Sequence, residues 1–265
     1  MAWTDFKRIS MALVVSFPVA VFGAAGAKAD LITEWNYTVD SAFTAFSPAG
    51  VTGSVPNANL GNAPTSLQWG TGGDGPSSLV VDSTITNPPQ LFTGAGSVAG
   101  ASITHNNNPI AGTTLTSATL STQLVLTAAS DPSLTHTLSS IFEIAFVETL
   151  NDSNCGFTSV SSCDDIFILL NPEVLVEQFI IDEFVYTVTL SASGLGLLDD
   201  ATCAVAGQAA GCFGFTTQER QANNLQTFFS IDAEPVRVPE PASLALLGFG
   251  LLGFGAVARR WRKSN

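Results

Sequence analysis

The chain has 265 residues, only 12% of them charged, and a formal net charge of −13 at pH 7. From Asp30 to Val238 there are 20 Asp and Glu against two cations, Arg220 and Arg237, a formal charge of −18 with no lysine. So one-signed a body cannot neutralise phosphates, which excludes nucleic acid as a partner and disfavours adhesion to anionic lipid. Self-repulsion that keeps the chain soluble is the plain account of the charge; binding of Ca²⁺ is the sharper one. No EF-hand loop or glycine-aspartate nonapeptide repeat supports the sharper account, and no metal-binding signature is assigned.

At the N-terminus Lys7 and Arg8 precede an apolar run from Met11 to Ala25, followed by Ala27-Lys28-Ala29 before Asp30. This is the three-part pattern of a secretory signal peptide over residues 1–29, which implies the Sec export machinery and a mature chain beginning at Asp30.

Residues 48–116 are rich in Gly, Ser, Thr, Asn and Pro, and part of this stretch is expected to be loop. Leu67–Gly70, Ser78–Asp82 and Thr113–Thr116 are expected to pair as edge or surface strands. Thr104-His105-Asn106-Asn107-Asn108-Pro109 concentrates amides and one of the two histidines. Asn side chains bond their own backbone in tight turns, so a turn between strands is the plain reading, and a ligand loop at Thr104, His105 and Asn107 the sharper one.

Beyond residue 116 a period of two dominates. Leu120, Thr122, Leu124 and Leu126 alternate with Ser121, Gln123, Val125 and Thr127; Phe184, Tyr186, Val188 and Leu190 alternate with Val185, Thr187, Thr189 and Ser191. Further strands are expected at Ile141–Glu148, Ile166–Leu170, Val174–Ile181 and Leu225–Ile231. His136, just before a strand, is expected to face outward or plug a polar gap. Many short strands with turn signals between them predict one all-β domain, sandwich or jelly-roll-like, over residues 30–238.

Four cysteines lie in the exported part, and an oxidising compartment makes two disulfides the expectation. The local pairs Cys155–Cys163 and Cys203–Cys212 are favoured because each closes a short loop. Zinc is the rival, and its usual spacings are not matched.

Catalytic signatures are absent: no G-x-S-x-G turn, phosphate cradle, H-E-x-x-H or dinucleotide loop. Carboxylates are paired in the chain at Glu143/Glu148, Asp164/Asp165, Asp182/Glu183 and Asp199/Asp200, which keeps glycoside hydrolysis formally open. Neighbours on a strand point to opposite faces, so solvated edge or turn residues is the better account of them. No catalytic residue and no cofactor is assigned, and the expectation is a protein that is not an enzyme.

The C-terminal segment, residues 239–265, reads Pro239-Glu240-Pro241, then 242–258 without a charge, then Arg259, Arg260, Trp261, Arg262 and Lys263. Seventeen apolar or small residues make about 25 Å of helix, a marginal span for a hydrocarbon core of about 30 Å. The cations would stay cytoplasmic and place the body outside. A plain C-terminal anchor is one reading. The order Pro-Glu-Pro, single hydrophobic helix, basic stop resembles the PEP-CTERM sorting signal of Gram-negative bacteria. That resemblance implies a membrane protease of the exosortase type as partner, transient residence in the inner membrane through 242–258, and delivery to the cell surface or extracellular matrix. The body in turn resembles the THxN group of PEP-CTERM proteins, whose motif falls on Thr104, His105 and Asn107. Trp69-Gly70, Phe146-x-Glu148-Thr149-x-Asn151 and Cys163-Asp164-Asp165 also look like it. The group implies no established enzymatic activity. The resulting expectation is an exported structural or adhesive protein of the surface or exopolysaccharide matrix, with an extracellular carbohydrate- or Ca²⁺-binding module as the alternative.

Overall fold

The computed structural model describes residues 30–87, 89–152 and 154–236. The expected signal peptide with Ala27 and Ala29, the motif Pro239, Glu240, Pro241, the expected span 242–258, and the basic residues Arg259, Arg260, Arg262 and Lys263 lie outside the described residues.

Strands β1 (Glu34–Ser47), β2 (Thr52–Asn57), β3 (Ala63–Trp69), β4 (Ser77–Val81), β5 (Thr84–Thr86), β6 (Leu91–Phe92) and β7 (Val98–Asn107) come first. After them come β8 (Ser117–Ala128), β9 (Thr135–Val147), β10 (Asp165–Leu169), β11 (Val176–Ile181) and β12 (Phe184–Ala192). The order closes with β13 (Gly196–Leu197), a short helix α1 (Asp200–Val205), β14 (Phe213–Thr217) and β15 (Gln221–Pro235).

They form two antiparallel sheets. One runs β13-β14-β10-β9-β8-β1-β5, with β6 also on β1; the other runs β11-β12-β15-β7-β4-β3-β2. Side chains alternate across each strand, so the inward set of every strand meets the other sheet in one apolar core. Trp35, Phe43, Tyr186 and Phe229 are at most 1% exposed there. Trp35 packs edge-on against Tyr186 at 5.3 Å and donates from Nε1 to Thr93 at 2.9 Å, so its one polar atom is satisfied.

The alternating segments from residue 120 onward are strands, as their period requires. Two boundaries differ: β11 starts at Val176 because Pro172–Leu175 forms a 3-10 turn, and β9 begins six residues before Ile141. Thr113–Thr116 is not a strand. Its backbone goes elsewhere: Thr116 N–H donates to the Ser47 carbonyl and Thr116 Oγ1 reaches the same oxygen. The polar region 48–116 supplies β2 to β7, with β7 in the middle of its sheet, so small polar residues here pave ladders. β1, not singled out by its sequence, pairs on both sides, with β8 from Trp35↔Ala128 to Ser47↔Ser117 and with β5 and β6. Its inward alternation is broken by buried Asp40 and Ser41, which hides the period. Asp40 Oδ1 accepts from Thr84 Oγ1 at 2.6 Å and Asn59 Nδ2 at 2.9 Å.

Both local disulfides are present, Cys155–Cys163 and Cys203–Cys212. The first closes the loop between β9 and β10, and the second ties α1 to the start of β14.

Candidate functional site

β7 carries the Thr-His-x-Asn sequence. Its residues alternate, so Ala101, Ile103, His105 and Asn107 turn inward while Ser102, Thr104 and Asn106 turn out. The turn reading of this stretch is therefore corrected. Asn106 and Asn107 are still paired on β15, to Ala222 and Gln221, and His105 opposes Leu79 on β4. Two neighbouring strands supply all the backbone partners, which overrides the local preference of amides for turns. The turn begins only at Asn108, whose Nδ2 donates to the Pro76 carbonyl at 3.0 Å. Thr104 faces outward and accepts from Asn224 Nδ2 at 3.0 Å.

His105 and Asn107 sit at the end of the sandwich covered by the Cys155–Cys163 loop. The His105 ring is 1% exposed, stacks on Trp69 at 5.5 Å, and meets the edges of Phe146 and Phe167 at 5.4 and 5.2 Å. Its Nδ1 pairs with Thr217 Oγ1 at 2.9 Å. Burial pushes its pKa down to about 3, so the ring is neutral. Asn107, fully buried, donates from Nδ2 to the Thr217 carbonyl at 3.3 Å, and its side chain lies against the Glu219 carboxylate. Gly70 follows Trp69 at φ +70°, where a Cβ would overlap the Ile110 side chain at 2.3 Å; glycine here lets β3 end with the indole turned into the site.

Three carboxylates converge beside this pair. Glu148 follows the last residue of β9, Asp165 opens β10, and Glu219 lies in the turn from β14 to β15. One oxygen from each lies within 4.8 Å of the other two. Glu148 Oε2 accepts from Trp69 Nε1 at 3.0 Å. Asp165 Oδ1 accepts from Thr149 N at 2.8 Å, and Thr149 Oγ1 donates to the Cys163 carbonyl at 2.6 Å, pinning the disulfide loop to β10. Glu219 N–H donates to Ser161 Oγ at 2.9 Å. The Asn151 amide, its nitrogen toward Glu219, donates to the two carboxylate oxygens at 2.9 and 3.0 Å from the exposed mouth of the site. Glu148 Oε1, Asp165 Oδ2, Asn107 Oδ1 and His105 Nε2 are buried without a hydrogen-bond partner among the described residues.

The electrostatics follow from burial. Glu148 is pushed up to about 7 by desolvation, against the Trp69 hydrogen bond, with the Glu219 charge adding to the rise. Asp165 is pushed up to about 9 by desolvation and then by the Glu148 charge. Glu219 is raised, again chiefly by burial. Asp164 behaves oppositely. Burial alone would raise it, but donors on Ser161, Val160 and Ser159 outweigh that and hold it below the usual carboxylate range. It caps the turn of the disulfide loop, accepting from Val160 N at 3.1 Å and Ser161 N at 2.9 Å. Arg220, the only Lys or Arg among the described residues, donates to Asp74 at the surface at 3.1 Å; its charge offsets part of the rise at Glu219, but it forms no ion pair with the three carboxylates.

Of the residues singled out from sequence, His105, Asn107, Cys163, Glu148 and Asp165 thus meet in one place. Cys155 joins them through its disulfide, whereas Cys203 and Cys212 do not. Glu143 is exposed on β9, Asp182 and Glu183 form the β11–β12 turn, and Asp199 caps α1 by accepting from Thr202 N at 2.9 Å. His136 stacks on Phe179 at 4.1 Å as a half-buried packing residue. Glu219 was not legible as a site residue: it stands alone in its turn, and only the pairing of β14 with β10 brings it to Asp165. Chemically, three acids around buried amide and hydroxyl groups can share protons among themselves or ligate a hard cation through oxygen.

Residues 237–263 match the PEP-CTERM protein-sorting motif. The motif indicates export and cell-surface anchoring by an exosortase, a membrane protease. No curated protein matches the chain.

Proposed function

We propose that the chain is a non-enzymatic structural or adhesive protein of the surface or exopolysaccharide matrix of a Gram-negative bacterium, exported by a signal peptide and processed at Pro239-Glu240-Pro241. The observation that carries this reading is the joining of the sorting motif at 237–263 to a sandwich whose exported part is lysine-free and strongly acidic. Such a surface suits a hydrated, polyanionic matrix, where self-repulsion keeps chains dispersed. The placement of the perturbed carboxylates supports a role other than turnover: Asp165 is fully buried and Glu219 is 7% exposed, beneath a disulfide-closed loop. Membership of the THxN group is part of the same proposal. In its favour, the segments that resemble the group, at Trp69, His105, Asn107, Phe146, Glu148, Asn151 and Asp165, lie around one site although they are far apart in the chain.

The alternative of a carbohydrate-binding loop at Thr104–Asn108 loses its support, because His105 and Asn107 turn into the core where a sugar has no access. Its cation-binding form keeps support from the carboxylate cluster.

The test is intact mass and terminal-peptide analysis of the native protein from washed cells and from the culture matrix. A chain starting at Asp30 and ending near Pro239, recovered outside the cell, is expected. Retention of Arg259–Asn265 in the inner membrane would overturn the matrix role.

A further inference from the structure

We propose that Glu148, Asp165 and Glu219, together with the side-chain oxygen of Asn107, bind a divalent cation of the calcium type. The inference stands apart from the matrix role, since it concerns what closes this end of the sandwich wherever the protein resides. The acidic cluster alone would not carry it. The second observation is Asn107: a 0% exposed amide whose Nδ2 side lies against Glu219 and whose Oδ1 has no donor among the described residues. Leaving such an oxygen buried and unpaired is costly, and a half-turn of the amide would present it to an ion held by Glu219, giving the oxygen a partner.

The identity of the ion follows from the donors. All are oxygens of carboxylates or an amide, the set that hard cations take. One oxygen from each of the three carboxylates lies within 4.8 Å of the others, close enough for all three to reach one ion at about 2.4 Å, the Ca²⁺ distance. Zinc is disfavoured: all four cysteines are in disulfides, and the His105 nitrogens are not among the converging ligand atoms. A dication would reduce the charge of the three ionised acids from −3 to −1, a role Arg220 fills only in part, since it pairs with Asp74 and acts on Glu219 without contact. Asn151, at the rim, can turn its amide oxygen toward the same point, where it would add a fifth donor residue.

Placement gives the site a mechanical consequence. Glu148 directly follows β9 and Asp165 opens β10 of one sheet, Asn107 ends β7 of the other, and Glu219 lies in the turn that crosses between them. A cation held by all four would cross-link the two sheets and the disulfide loop. Folding would then be completed where calcium is plentiful, after export.

The experiment uses the exported chain with both disulfides formed, stripped with chelator and titrated with Tb³⁺ and then Ca²⁺. Between Asp30 and Val238 the only tryptophans are Trp35 and Trp69, and Trp69 donates to Glu148, so a Trp35→Phe variant leaves a single sensitiser against the site. Expected are one equivalent of Tb³⁺ luminescence excited through Trp69, its displacement by Ca²⁺, and a rise in Tm of roughly 5–10 °C at about a hundredfold excess over Kd. Asp165→Asn and Glu219→Gln should abolish the luminescence, while Glu143→Gln, on the exposed face of β9, should leave it intact. The proposal is overturned if Tb³⁺ gives no sensitised emission, or if Asp165→Asn still gives it. Should the site variants not fold, the wild type decides. A Tm rise with Ca²⁺ that Mg²⁺ or NaCl at equal ionic strength reproduces would be surface screening and would also sink the proposal.

Discussion

Asp165 is the residue on which the site turns. One of its oxygens is satisfied by Thr149 and the other is buried without a partner, with Glu148 and Glu219 nearby, so in the absence of a cation folding must keep the acid protonated at a pH where the unfolded chain has lost the proton. An isosteric amide keeps the acceptor for Thr149 and removes the charge. Asp165→Asn is therefore expected to melt a few degrees above wild type at pH 8.5 in chelator, an advantage that shrinks toward pH 5, as the pH nears the ordinary value of 3.8 at which the unfolded chain also takes up the proton. Differential scanning calorimetry of the two proteins at both pH values checks this. His105 has the opposite sign. Its folded pKa of about 3 lies below the ordinary value of 6.5, so the stability of the neutral ring is present above pH 6.5 and is lost as pH falls toward 3. His105→Phe leaves Thr217 Oγ1 without its partner and should cost about 1–3 kcal/mol near neutrality. That deficit should narrow from pH 6.5 to 4.5, because the variant has no imidazole to protonate on unfolding. Urea midpoints across the range would show it, and a deficit constant with pH would refute the titration argument.

At the scale of elements, the loop from Glu148 to Asp165 converts chain neighbours into site geometry. Glu148 and Asp165 are 17 positions apart, yet Ile166 pairs with Val147, which puts the two acids side by side at the ends of adjacent strands. The Cys155–Cys163 disulfide shortens the loop between them, and Asp164 caps its turn. Replacing both cysteines by serine should cost about 2.5 kcal/mol by the loop-entropy estimate for so short a ring. It should also weaken Ca²⁺ binding, since Thr149 and Ser161 are positioned by this loop; calorimetric titration of the serine variant measures both together. The same scale marks the limits of reading strands from sequence. β8 and β12 announce themselves by alternation, whereas β1 buries Asp40 and Ser41 in side-chain bonds and so loses its period. β7 carries amides that favour turns by themselves, and only the ladders with β4 and β15 hold it extended.

For the whole molecule, the window from pH 6.5 to 9 isolates the cluster. The body has no lysine, and His105 differs in charge between the folded and unfolded states only at the acid edge of this window, near its ordinary value of 6.5. Glu148 and Asp165, with folded pKa values of about 7 and about 9, retain protons that the unfolded chain has already lost. The unfolded state thus binds fewer protons, and stability falls as pH rises through this window and is recovered below it. In chelator, Tm should decline steadily from pH 6.5 to 9; with saturating Ca²⁺, which needs the carboxylates ionised, the decline should flatten or reverse. Circular-dichroism melts in the two buffers test the sign directly.

The sequence by itself determined the C-terminal sorting motif and the all-β class, and favoured the two local disulfides. Each of these is written in contiguous residues: an apolar run with its flanking charges, a period of two, a short span between cysteines. The tertiary structure alone decided that His105 and Asn107 face inward and that Glu148, Asp165 and Glu219 share one point. Those residues are separated by up to 114 positions, from His105 to Glu219, and their meeting depends on strand register across two sheets. Register is set by which faces can be buried together, a property of the packed pair of sheets that no single segment carries.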